Sequence, residues 1–238
     1  MLTALDLRKI RCFDGLHYSF QLLRHFESKL WDTCCKISDD NSQIIPALAS
    51  CWGFVDAVHR IREISQSIPG VSTKHAEMRA FLSVSSVAED YRHYIQHLRN
   101  ELSKEPPNSF PVWGSLSWVD PIIPTRTHTA LLGAQISGTH NTGSIYDTLE
   151  RKWVSKVCLG VDNQSFNFDT IFLASLRFES FILTNLTEGT PAEVQFHEKL
   201  PIITFDVAPP QLTRRSNCLN GIPDDRYATR PRRTGTDS

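Results

Sequence analysis

The chain has 238 residues, enough for one domain with an appendage or for two small domains. Apolar residues make up 40% and charged residues 21%, an ordinary balance for a soluble globular protein. The formal net charge of -1 excludes a global basic field that would capture nucleic acid, so any such binding must come from a local patch.

The longest apolar runs, such as residues 171–174, are too short to span a bilayer, and no membrane is expected as a partner. The first nine residues hold no apolar core of signal-peptide length, so a cytoplasmic protein is expected. The six cysteines, Cys12, Cys34, Cys35, Cys51, Cys158 and Cys218, form no C-x-x-C pair and fit no zinc spacing. Reduced thiols are expected in that compartment, with no metal or other cofactor.

Between Gly15 and Leu102 apolar residues recur at helical spacing. The first helix is predicted over residues 16–36, where Leu16, Phe20, Leu23, Phe26, Leu30 and Trp31 keep a spacing of three to four. Asp39-Asp40-Asn41-Ser42 is a loop able to cap the next helix. A second helix is predicted over residues 44–67, with Pro46 in its first turn and Pro69-Gly70 ending it. A third helical stretch covers residues 73–103, with a kink expected at Ser83-Val84-Ser85-Ser86-Val87 because serine and valine both lower helix propensity. Pro106-Pro107 stops it. Short loops between such helices imply an antiparallel bundle.

The second half reads as strands. Residues 112–119 and 128–137 alternate in polarity, and residues 154–161 and 165–173 flank a hairpin-like Asp162-Asn163-Gln164. Residues 176–186 and 202–207 are further strand candidates, giving a small antiparallel sheet of about five or six strands. From Gln211 the chain is rich in Arg, Pro, Thr, Asp and Gly, the composition of a disordered basic tail. The expected fold class is therefore α+β: a helical bundle over residues 1–105, a β-rich extension over 106–208 and a tail over 209–238.

One run carries most of the chemistry: Asp90-Tyr91-Arg92-His93-Tyr94-Ile95-Gln96-His97-Leu98. At about 3.6 residues per turn, Arg92 and His97 lie roughly 140° apart and can line one broad helix edge. Arginine keeps its proton, whereas histidine can exchange one near neutrality. A fixed cation beside a proton-transfer group is what phosphodiester cleavage requires.

Arg92-His93-Tyr94-Ile95-Gln96-His97, an Arg, a polar residue, three residues and a His, resembles the signature of the HEPN superfamily of small helical bundles. The resemblance covers residues 15–103, including the helical layout. It implies toxin-antitoxin, abortive-infection or phage-defence settings, and commonly a metal-independent endoribonuclease site formed between two protomers. On that resemblance Arg92 would stabilise phosphate charge, His97 would act as general acid or base at the ribose 2′-OH, and His93 would orient or support. RNA, a second copy of the chain and an antitoxin or other protein are the implied partners. The alternative is a non-catalytic HEPN-like module binding a nucleotide, RNA or a protein. Cleavage through the 2′-OH needs both a base and an acid, so a homodimer interface including Arg92, Tyr94 and His97 is expected.

The competing reading of the run is a solvated helix face, with Arg92 paired to Glu89 and Tyr91, Ile95 and Leu98 turned inward. Other candidates carry less. His59-Arg60-x-Arg62-Glu63 reads as a surface stripe able to line the same cleft. His17, His25 and Glu27 lack a metal-ligand arrangement, as do His75 and Glu77. His128 and His140 flank a strand and a Gly-rich turn over residues 137–144 that lacks the Lys of a phosphate-binding loop. Trp113 and Trp118 fall on opposite parity, so one is expected in the core and the other exposed; packing against the bundle is the expected role, and base stacking by the exposed ring is the alternative.

Overall fold

A computed structural model of the chain describes residues 3–37, 40–105, 110–123, 125–134, 146–147, 149–162 and 164–187. The predicted strand at 202–207, the tail and the turn at 137–144 lie outside the described residues.

The first helix starts well before its apolar stripe. Helix α1, Ala4–Ile37, opens on a capping box: the Asp6 N–H donates to Thr3 Oγ1 (3.1 Å) and the Thr3 N–H donates to the Asp6 carboxylate (2.9 Å). Asp40 then accepts from the Ser42 N–H at 2.9 Å and caps a single 3-10 turn, Asn41–Gln43, that leads into α2, Ile44–Gln66. Leu16, Phe20, Leu23, Leu30 and Cys34 of α1 pack on Ala47, Cys51, Phe54, Val58 and Ile61 of α2 in one core. The pair approach closely at Gly53, where a Cβ would lie 2.5 Å from the Phe26 ring.

The third predicted helix is three: α3, Ala76–Val84, α4, Val87–Gln96, and α5, Leu98–Leu102. The first break falls at the expected serines. It is filled by Arg62 of α2, which donates to the Leu82 carbonyl (2.5 Å), to Ser85 Oγ (2.7 Å) and to Glu89 (2.5 Å). The reading of Arg62 as part of a surface stripe is thereby corrected: its side chain is only 5% exposed. A helix break frees a carbonyl that must find a donor, and a buried guanidinium supplies several.

The strands are β1, Ser115–Val119, β2, Thr127–Leu131, β3, Tyr146–Asp147, β4, Lys152–Trp153, β5, Val157–Val161, and β6, Gln164–Asn167. β2-β1-β5-β6 form an antiparallel sheet in that order, and β3-β4 form a separate antiparallel pair. Leu116, Trp118, Val157, Leu159, Val161 and Phe166 join the helical core from the sheet. The change of period near Pro106 is thus a change of secondary structure within one core. At the start of β1, Gly114 adopts φ +88, and a Cβ there would run into the Gly160 carbonyl oxygen.

Residues 168–187 overturn the strand expectation. Apart from the short β6, the predicted strands at 165–173 and 176–186 are one helix, α6, Phe168–Thr187. Its buried residues, Phe168, Ile171, Ser175, Phe178, Ile182 and Leu186, recur at three and four. Aromatic and β-branched residues favour strands only weakly, and the chance to bury this stripe overrides them. Phe178 stacks on Phe81 of α3 at 4.3 Å, and Phe54 of α2 meets Phe166 and Phe168 edge-on. The architecture is α+β, with six helices and a four-stranded antiparallel sheet among the described residues. No described helix is long and apolar enough to cross a membrane.

Candidate functional site

Two tyrosines fix the helix that bears the Arg-His run. Tyr91 is buried, and its hydroxyl donates to the Leu159 carbonyl (2.6 Å) while accepting from the Val161 N–H (3.1 Å). The hydroxyl thus bonds to β5 at the start of the β5–β6 hairpin. Burial holds its phenol well above the ordinary value, so it stays a neutral donor. Tyr94 donates to the Val112 carbonyl at 2.7 Å, ahead of β1. The sequence reading puts Tyr94 on a polar face, free for a dimer interface; it is instead half-buried and held within its own chain.

With Val87, Ala88, Tyr91 and Tyr94 turned inward, the polar side chains of α4 lie towards its outer edge. His93 and His97 are one turn apart, with ring centroids 4.3 Å from each other. Both are exposed. His97 is also where the helix breaks: at φ -109 and ψ 23 it closes α4 and precedes α5. Arg92 takes a different face. It pairs with Asp56 of α2 at 3.3 Å, while Glu89, its expected partner, is taken by Arg62. Asp56 also accepts from Arg60 at 2.6 Å, so two guanidiniums share one carboxylate. The structure therefore brings His93 and His97 together and sets Arg92 on the adjoining side. Arg60 reaches this edge as the stripe reading allows. Asp56 is the member that sequence reasoning missed, and its i,i+4 spacing to Arg60 is the signal that could have found it.

A polar cavity of about 160 Å³ adjoins His93, lined by Asp90, Tyr94, Glu101, Lys104, Asp162 and Gln164 among others. A larger open groove of about 640 Å³, lined by Leu7, Arg8, Arg11, Cys12 and Glu63 among others, holds no residue of the Arg-His run. Both histidines can accept and return a proton, and Arg92 offers the rest of its donor fork beyond the nitrogen held by Asp56. Two imidazoles in contact lie on one side of any phosphate they touch. An in-line displacement needs its base and acid on opposite sides.

His128, His75 and His17 have partners within the chain, and His140 lies outside the described residues. Nε2 of His128 lies 2.8 Å from the Asp120 carboxylate, and its ring stacks on Trp118. Nδ1 of His75 pairs with Glu77 at 2.6 Å. His17 meets Gln21 at 2.7 Å. Trp118 is buried and Trp113 is 41% exposed, but strand parity is not the cause, because every residue of β1 is buried and Trp113 lies in the turn ahead of it. Burial pushes the thiols of Cys34 and Cys51 up and that of Cys158 to about 11, which makes them poor nucleophiles. Among the described residues no group of three or more His, Cys, Asp and Glu side chains is placed to hold a metal ion.

The chain matches no family model, no curated protein and no solved structure.

Proposed function

We propose that this is a HEPN-like endoribonuclease in which Arg92, His93 and His97 form half of a metal-independent site, completed by a second copy of the chain. The observation that carries the reading is the exposed His93–His97 pair beside Arg92, on a helix whose inner face is fixed by two tyrosine hydroxyls. In the proposed reaction an imidazole of one protomer takes the ribose 2′-OH proton. The 2′-oxygen attacks phosphorus, a 2′,3′-cyclic phosphate forms, and the departing 5′-oxygen takes a proton from an imidazolium of the other protomer. Arg92 bears on the charge that builds on the phosphate oxygens. The dimer is required by the chemistry, because one protomer's histidines share a side. A toxin-antitoxin or phage-defence setting, with an antitoxin or another protein as partner, rests on the resemblance alone.

A second reading has one observation in its favour. Asp56 already engages one nitrogen of Arg92, as suits a non-catalytic HEPN-like module that binds a nucleotide, RNA or a protein. Purified protein incubated with RNA in EDTA separates the two. Cleavage that falls by roughly 10²–10⁴ in His97→Ala supports the nuclease. Binding without cleavage in the wild type supports the module. A monomer by light scattering at tens of micromolar, where weak interfaces of about this class still form, removes the composite site.

A further inference from the structure

Trp113 sits on a rigid mount beside the Arg-His helix. The residue before it is held through its carbonyl by Tyr94, its own N–H donates to the Leu132 carbonyl at 3.2 Å, and Gly114 after it is locked by the close approach of Gly160. Its indole meets Trp52 of α2 edge-on at 6.4 Å, yet remains 41% exposed. Trp52 in turn touches Tyr91 at 5.8 Å and precedes Asp56 by one helical turn on the same face. Asp56 bridges Arg92 and Arg60, and two guanidiniums against one carboxylate leave a net positive charge. One strip along the α2–α4 edge thus runs from an exposed, pre-oriented indole to a pair of arginines.

We propose that this strip is a single-stranded RNA track, with one unpaired base stacked on Trp113 and the neighbouring backbone phosphate at Arg92 and Arg60. The inference rests on the RNA reading above and gives it a substrate class. A base inside a duplex hides its faces from an indole, whereas an unpaired base offers one. The fixed mount means that little side-chain freedom is lost on stacking. Stacking tolerates any base, so the track selects strandedness and not sequence.

The test uses the full chain with His97→Ala, so that bound RNA stays intact, and a fluorescein-labelled single-stranded oligoribonucleotide of mixed sequence in EDTA. Anisotropy gives its affinity. Adding Trp113→Ala should weaken binding about tenfold, while Trp113→Phe should stay within a few-fold. The same RNA annealed to its complement should bind more weakly and be indifferent to Trp113. Abasic units placed at each position in turn give a check that leaves the fold untouched: one position should lose about tenfold with Trp113 present and nothing with alanine there. An alanine variant that binds as well as its parent, a duplex bound as tightly as the single strand, or no sensitive abasic position overturns the track. Trp113-dependent binding by a wild type that never cleaves upholds the track and overturns the nuclease. Cleavage without Trp113 dependence does the reverse, and absence of RNA binding overturns both.

Discussion

Arg62 of α2 and Glu89 of α4 are joined across 27 positions of sequence by a guanidinium that also satisfies the break between α3 and α4. The carboxylate is half exposed, whereas the arginine is almost wholly buried. The break that lets α4 leave the line of α3 is thus held from α2.

Replacing Arg62 by methionine keeps the stem packed but strands the Leu82 carbonyl and removes a donor from Ser85. The expected loss is about 2–4 kcal/mol, near the cost of breaking a buried polar network. Glu89→Gln should cost well under half as much, because water reaches that carboxylate. Urea unfolding of the two variants checks the order, and equal losses would contradict it.

Tyr91→Phe removes one hydroxyl and leaves the Leu159 carbonyl and Val161 N–H without that partner. A loss of about 1–3 kcal/mol is expected. Amide exchange should rise first at Val161, the donor whose bond is removed. Tyr94→Phe affects a half-buried bond outside the sheet and should cost about 1 kcal/mol or less.

Gly114→Ala forces a side chain into a positive-φ residue and against the Gly160 carbonyl. The combined backbone and contact penalty is roughly 2–5 kcal/mol, read as a fall in the thermal midpoint. Gly70, also at positive φ, has nothing near its missing Cβ. Gly70→Ala should therefore cost only the backbone part, about 1 kcal/mol.

Asp120 accepts from the Ile123 N–H, His128 and the Ile122 N–H, which together hold its carboxyl at about 2, below the ordinary 3.8. The folded state binds this proton more weakly than the unfolded chain. The stabilisation is therefore complete above pH 3.8 and is lost as pH falls through about 2. Asp120→Asn should be less stable than wild type at about pH 5, with the gap closing towards pH 2. Urea midpoints at both pH values measure it. A gap that stays constant would place the effect outside this carboxyl's titration.

The two long N-terminal helices, the serine break and the β5–β6 turn were legible in the sequence because each depends on nearby residues: an apolar period, a run of poor helix formers, a short turn. The same local signal failed at 168–187. Phe172, Phe178, Phe181 and Ile182 suit a strand by type, and only the burial available against α1 and α3 made their three-to-four spacing decide. The Arg-His run was visible as chemistry, but its partners were not. Glu89 lies three residues from Arg92 and Asp56 lies on another helix, yet the distant group holds Arg92 because Arg62 fills the helix break and occupies Glu89. Which cation meets which carboxylate depends on how helices stack, and so does the turning of Tyr94 inward while His93 and His97 remain outside. Sequence determined which groups are present and their order along each helix. Tertiary packing decided their partners, because burial and hydrogen-bond satisfaction act between elements far apart in the chain.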